Sequence, residues 1–250
     1  MIEKLRLTSK SKADVLHGVK TSLPIVVGYV PVAISYGVLA MQAGFSLWHT
    51  LSMSLFVYAG ASQFMAVSMY GMGASALEMI VATLLINFRH FILSLSLMSR
   101  LRQIPTGRKA ILSFWLTDET FAMSAVKGAE GKAAGSSPSK EGLVMSAAFL
   151  AGLFLPPYLF WNVGTFLGAI LSMAIPPSIG ESMAIALYAM FIGLLVPALG
   201  KGWAVGAIAL FGALLSTLFV QVLHFNSGWA IVLATSLASL PAMFWLKEEE

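Results

Sequence analysis

The chain has 250 residues, of which 58% are apolar and 10% charged, against roughly 45–50% and about 25% in soluble proteins, too few charges to coat a globule in water. Apolar runs of at least about 18 residues read as membrane-spanning helices, and without the alternation of barrel strands they exclude a β-barrel along with a soluble enzyme or a disordered tail. The net charge of +4 lies in short segments between the runs and reports orientation rather than a nucleic-acid site, and the absence of cysteine removes disulfides, thiolate nucleophiles, Cys-ligated zinc and iron–sulfur clusters.

The predicted fold class is all-α: a polytopic transmembrane helical bundle of about 7–8 membrane segments, some broken or re-entrant, in a single domain over residues 1–250. Residues 1–20 are polar and basic and read as a cytoplasmic leader with no removable signal peptide. Residues 11–20 fit either an amphipathic surface helix, with Val15 and Leu16 inward and Lys12 and Lys20 outward, or a solvated basic segment. The motif-bearing N-terminal helices, 21–126, follow. The first span, 21–42, carries Pro24, Gly28, Pro31 and Gly37, residues that free backbone groups or permit a kink. A second apolar stretch, 47–70, is interrupted by Ala59-Gly60-Ala61-Ser62-Gln63, and a third, 75–98, contains Asn87, Arg89 and His90. After a basic loop comes a shorter segment, 110–126, bearing Asp118 and Glu119, and then a loop rich in Gly and Ser at 127–141. The C-terminal helices, 142–246, comprise apolar segments at 143–171, 182–199, 203–223 and 229–246. Trp48, Trp203, Trp229 and Trp245 fall near span ends, where indole rings prefer the headgroup region.

Charge placement exposes a conflict. Lys4, Arg6, Lys10, Lys12 and Lys20 put the N-terminus in the cytoplasm, and Arg100, Arg102, Arg108 and Lys109 belong on the same side. An even number of crossings must separate the two clusters, yet three apolar stretches lie between them. One stretch must enter and leave by the same face or be split in two. The second is the best candidate, because its small-residue centre suits an unwound backbone, tolerated at membrane depth only when buried in protein or lining a cavity. A plain kinked span with an imperfect charge bias is the alternative. Pro24 and Pro31 against Pro156 and Pro157, and Tyr58-Ala59 against Tyr188-Ala189, leave room for an internal repeat.

Chemistry concentrates in the third span. Thr83, Asn87, His90 and Ser94 recur at spacings of four, three and four and so form one polar helical stripe, with Arg89 beside it. An Arg at membrane depth costs roughly 2.5–3.5 kcal/mol on insertion scales, which points to anion recognition or an ion pair; a structural Arg tied to helix-end carbonyls is the alternative. His90 is either a proton relay or a neutral spacer. Ser113, Thr117, Thr120 and Ser124 repeat the same spacing on the segment at 110–126. Asp118 and Glu119 alongside them can meet an ammonium, take a coupling proton or pair with Arg89, unless they cap an exposed helix end. Around Gly60 and Ala61 an opened helix would aim N–H groups at a carboxylate, with Gln63 adding a neutral donor and acceptor, although small residues also serve close helix packing. No metal set, cofactor pocket or enzyme motif is apparent, so no catalytic residue, metal or cofactor is assigned.

The spaced Gly18, Pro24, Gly28, Pro31 and Gly37, then 56–64, Asn87-Phe88-Arg89-His90 and 117–122, occur in an order that resembles the AzlC-type branched-chain amino acid permeases. The resemblance implies the large subunit of a two-component exporter in the bacterial inner membrane, N-terminus cytoplasmic. Its substrates would be Val, Leu and Ile, with Met in some members, its driving force protons, and its companion a small AzlD-like membrane subunit. The family's Pro-Phe-Gly is here Ile34-Ser35-Tyr36-Gly37, and Tyr58 replaces a Phe, which adds a hydroxyl near the proposed cavity and bears on substrate preference.

The expected activity is therefore alternating-access export of a small zwitterion with an apolar side chain. Gly60, Ala61, Gln63, Asn87 and Arg89 would bind substrate, and Asp118, Glu119 and His90 would couple protons. A channel, a transporter for another small solute and a non-transporting regulatory subunit are the rival readings; nucleic acid is not an expected partner.

Overall fold

The computed structural model describes residues 2–101, 104–124, 145–176, 203–225 and 227–245, together with isolated positions between 179 and 200. Among the described residues there are helices and no strands. The first helix, α1 (Ile2–Gln42), is one continuous helix of 41 residues, about 60 Å long at 1.5 Å per residue. The helix passes through Pro24 and Pro31 unbroken, so the separate surface helix expected over 11–20 is not formed, and Val15 and Leu16, expected to face inward, are both exposed.

The reason lies in a second long helix. The helix over Ala147–Leu171 also runs uninterrupted through two prolines, Pro156 and Pro157. A Cβ on Gly18 would collide with the Phe149 carbonyl, and one on Gly152 with the Val15 carbonyl; toward the other end the same holds for Gly37 with Thr165 and Gly168 with Ile34. Residue numbers rise together along both helices, so the two are parallel. Their backbones touch through glycine, the small-residue packing that substitutes for hydrophobic association within lipid. The contacts are reciprocal, as between two parallel repeats about an axis running along the pair. Tyr188-Ala189, the other expected sign of a repeat, lies outside the described residues.

Between these helices the chain makes two hairpins and one long return. In the first hairpin α2 (Leu47–Ser52) is capped by Ser46 and continues through a π-helical turn, Met53–Val57. Tyr58 then takes a left-handed conformation, φ 45°, and α3 (Gly60–Gly71) begins. The Phe45 and Tyr70 rings meet edge to face at 4.8 Å, so the hairpin opens and closes at one end, that of the α1 C-terminus. The return, α4 (Ala76–Arg100), starts at a Ser75–Glu78 capping box. Its far end places Leu97, Met98 and Leu101 against Ile25, Phe149, Leu150 and Leu153, beside the N-terminal parts of the long parallel pair.

The second hairpin starts from that opposite end. The helix α5 (Thr106–Phe114) is anchored by Lys109 Nζ, which donates to the Met98 carbonyl at 3.0 Å and so caps α4. The chain breaks at 115–117 and α6, described over 118–124, turns back; Phe121 and Met123 pack on the cluster that also holds Ile104 and Leu112. The expected single hydroxyl stripe is therefore divided, with Ser113 on one arm and Thr117, Thr120 and Ser124 on the other. A lone segment with a β-turn-like break cannot hold a 3.6-residue stripe in register.

The long helix Ala147–Leu171 is α7; α8 (Trp203–Thr217) ends in a second π-helical turn, Leu218–Val222, and α9 (Ser227–Trp245) follows. Among the described residues, four helices are long and apolar enough to cross a membrane, over Ser11–Gln42, Ala76–Met98, Ala147–Leu171 and Trp203–Val222. The expected count of about 7–8 segments is not reproduced. Two of those segments are the hairpins, and 182–199 falls largely outside the described residues.

Candidate functional site

The tips of the two hairpins meet between α1, α4 and α7, about halfway along the bundle. The first tip contributes Tyr58, Ala59, Gly60 and Ala61 and the second Thr117, Asp118 and Glu119; Arg89 and His90 come from α4, Tyr29 from α1 and Trp161 from α7. Together these residues line a cavity of about 30 Å³, room for a water or two and far below the roughly 300–1,000 Å³ of small-molecule pockets.

Each tip is local chemistry made visible. Helices α2, α4 and α7 start on serine caps, Ser46, Ser75 and Ser146. By contrast α3 starts on Ala59 with no side-chain cap, so its first N–H groups reach the cavity unspent. At the second tip Thr117 and Thr120 cap each other: the Thr117 N–H donates to Thr120 Oγ1 at 2.9 Å and the Thr120 N–H to Thr117 Oγ1 at 3.4 Å. Thr117-Asp118-Glu119-Thr120 is thus a helix start whose acids favour the positive end of the helix.

The carboxylates are deployed differently. Asp118 Oδ2 pairs with Arg89 at 3.1 Å, both side chains being partly exposed, and the Arg89 Nε is buried without a partner. Glu119 has no such cation; its Oε2 accepts from the Tyr29 hydroxyl at 2.6 Å, and that hydroxyl also lies 2.9 Å from Thr117 Oγ1. The Tyr58 hydroxyl is buried and unpartnered.

Six of the eight residues singled out in the sequence, Gly60, Ala61, Arg89, His90, Asp118 and Glu119, line this one cavity. Gln63 and Asn87 are not in its wall. Gln63 is wholly buried; its Nε2 donates to Ser54 Oγ at 2.9 Å and its Oε1 accepts from Trp161 Nε1 at 3.1 Å, while Ser54 bonds Thr165 at 2.8 Å. That chain of bonds straps the first hairpin to α7. Asn87 has a buried, unpartnered Oδ1 outside the cavity wall, and Thr83 spends its hydroxyl on the carbonyls of Met79 and Ile80.

Sequence reasoning missed Tyr29 and Trp161, and it noted Tyr58 only as a departure from the family pattern that adds a hydroxyl near the proposed cavity. The available signal was position: tyrosine and tryptophan in membrane helices favour the interfaces, so one at mid-span needs a polar partner inside. Tyr158, also mid-span, shows the same logic. Its hydroxyl donates to the Leu55 carbonyl in the π-helical turn at 3.0 Å, and its ring meets Tyr58 at 4.9 Å and Phe114 at 5.9 Å. One side chain therefore touches both hairpins.

The profile of the family described as AzlC protein matches residues 24–175. The chain belongs to the AzlC family. The AzlC match takes in every residue of the cavity wall. Among curated relatives, the inner membrane protein YgaZ of Escherichia coli (strain K12) is 32% identical over 158 residues, 63% of this chain and 60% of that protein. An uncharacterized membrane protein of Archaeoglobus fulgidus is 38% identical over 154 residues, 61% of this chain and 60% of that protein. The branched-chain amino acid transport protein AzlC of Bacillus subtilis (strain 168) is 25% identical over 150 residues, 60% of this chain and 54% of that protein. The chain thus spans about 60% of the length of the first two of these relatives. No solved structure matches this AzlC chain.

Proposed function

We propose that the protein exports branched-chain amino acids, Val, Leu and Ile, together with Met, across the bacterial inner membrane, with protons as the coupling ion. The observation that carries this reading is the convergence, at mid-bundle, of an uncapped helix N-terminus, a guanidinium and two carboxylates. Positive and negative groups within one cavity suit a zwitterion better than an ion of one sign. The N–H groups of Gly60 and Ala61 and the Arg89 guanidinium hold the substrate carboxylate, and one carboxylate of the second tip, Asp118 or Glu119, holds its ammonium.

A Leu-sized side chain needs only apolar space, and the small cavity must widen to admit it. Each hairpin opens toward its own end of the bundle, so parting the tips in turn exposes the site to one side and then the other, which is alternating access. Protonation of a tip carboxylate removes an attraction for the ammonium and releases substrate. His90, beside Arg89 in the same wall, offers a second proton acceptor. The small companion subunit, AzlD-like, seats on the exposed apolar helices, and the N-terminus faces the cytoplasm.

The test is efflux of labelled Val, Leu, Ile and Met from preloaded vesicles, with and without a pH gradient and with and without the companion. Saturable efflux that accelerates when an inward proton gradient is imposed is the expected result. No movement of any of the four under all conditions overturns the assignment, and non-saturating flux would make the protein a channel.

A further inference from the structure

Among the described residues, two buried polar atoms of the cavity wall have no hydrogen-bond partner, Arg89 Nε and the Tyr58 hydroxyl; the Arg89 guanidinium is held by Asp118 through another of its nitrogens, whereas nothing in the protein engages the Tyr58 hydroxyl. Tyr58 is 4% exposed, lines the cavity, and its oxygen has no hydrogen-bond partner. Its neighbours are already engaged: Tyr29 donates to Glu119 Oε2, Tyr158 to the Leu55 carbonyl, and Gln63 holds Ser54 and Trp161. A buried hydroxyl left in this state costs free energy that a bound water or ligand can return. The backbone also commits to the placement, since Tyr58 holds φ 45°, a left-handed conformation rare for a bulky residue and found where surrounding structure enforces it.

The Glu119 carboxylate shares that cavity wall with Tyr58. Tyr29 uses its Oε2, which leaves Oε1 for a ligand. Asp118 is differently engaged, since its Oδ2 faces the Arg89 guanidinium. We infer that the Tyr58 oxygen and Glu119 Oε1 together form the ammonium subsite, making Tyr58 a specificity-determining residue, while the Asp118–Arg89 pair serves the substrate carboxylate. An ammonium brings three donors and no acceptor, so it matches one carboxylate oxygen and one hydroxyl lone pair. A hydroxy acid at the same place would bring a single donor and no charge. The inference rests on the amino acid reading of the cavity and deepens it by assigning its two ends.

Tyr58→Phe is the decisive variant, because it removes one oxygen that no protein group hydrogen-bonds and leaves the ring against Tyr158. Binding of labelled leucine to the purified full chain is competed with unlabelled leucine, with 2-hydroxy-4-methylpentanoate, which lacks the ammonium, and with 3-methylbutylamine, which lacks the carboxylate. The wild-type protein is expected to favour leucine over the hydroxy acid by at least roughly tenfold. In Tyr58→Phe the leucine affinity falls by roughly five- to tenfold, the amine weakens in parallel, and the hydroxy acid is unaffected, so the discrimination narrows. Glu119→Gln moves the three ligands in the same directions and further. Leucine binding unchanged in Tyr58→Phe, or weakened equally with the hydroxy acid, overturns the inference while leaving the amino acid reading intact. Absence of leucine binding to the wild-type chain overturns both.

Discussion

Arg89 and Asp118 form an ion pair at 3.1 Å with side-chain exposures of 35% and 26%, so solvent screening limits its worth and stability is not its main product. A double-mutant cycle with Arg89→Gln and Asp118→Asn should return a coupling of about 1 kcal/mol in unfolding free energy. The same singles should lower leucine binding by at least roughly tenfold, since each disturbs the charge that meets the substrate. Stability lost well beyond that coupling, with binding intact, would make the pair a structural fastener. Gln63 is expected to behave the opposite way. Gln63→Leu strands the Trp161 N–H and Ser54 hydroxyl and should cost about 1–3 kcal/mol in detergent unfolding. Affinity in the molecules that remain folded should change little. The charged members of the cavity wall were legible because a charge in an apolar run is conspicuous. Tyr29 and Trp161 were not, since hydropathy counts them with the lipid-facing residues, and Tyr58 stood out only against the family pattern. Gln63 misled for the converse reason: a polar side chain in a span reads as a ligand whether it serves a ligand or two neighbouring helices.

At the scale of the element, prolines and glycines in α1 and α7 carry the contrast between reading and structure. Pro24 and Pro31 were read as permitting a kink in α1, yet α1 continues through them, as α7 does through Pro156 and Pro157, each helix supporting the other along its length. Gly28 and Gly37 were read with the same suspicion, and Gly37 instead permits backbone contact. Nothing in one helix sequence states which partner its small face will meet, so parallel pairing across more than a hundred residues was not accessible from pattern alone. The pairing makes a position-specific prediction. Gly168→Val places branched carbon against the Ile34 carbonyl and should cost about 1–3 kcal/mol or more, seen as lost monodisperse protein and a lowered midpoint of thermal unfolding. Gly28→Val, where a Cβ meets nothing within 4 Å, should be tolerated. Equal behaviour of the two variants would mean that α1 and α7 do not touch through these glycines.

For the whole molecule, the two hairpins reconcile a charge pattern that three straight crossings cannot. If the first hairpin enters and leaves by one face, α1 and α4 are the crossings between the basic N-terminal segment and the basic loop at 100–109, and their number is even. The chain contains no cysteine, so single-cysteine labelling can be read without background. Ala43→Cys lies just before the first hairpin, Ala74→Cys just after it, and Thr106→Cys at the start of the second. With a membrane-impermeant thiol reagent added outside intact cells, positions 43 and 74 should both label and position 106 should not; inverted vesicles should reverse the pattern. A straight crossing over 47–70 would instead put 43 and 74 on opposite faces and 74 together with 106 only if α4 failed to cross. Labelling of 43 and 74 from opposite sides would therefore dismantle the hairpin and with it the mid-bundle meeting of the two tips. Labelling of 43 and 74 together, opposite 106, leaves each hairpin accessible from one side of the membrane, the geometric condition for a site that opens alternately.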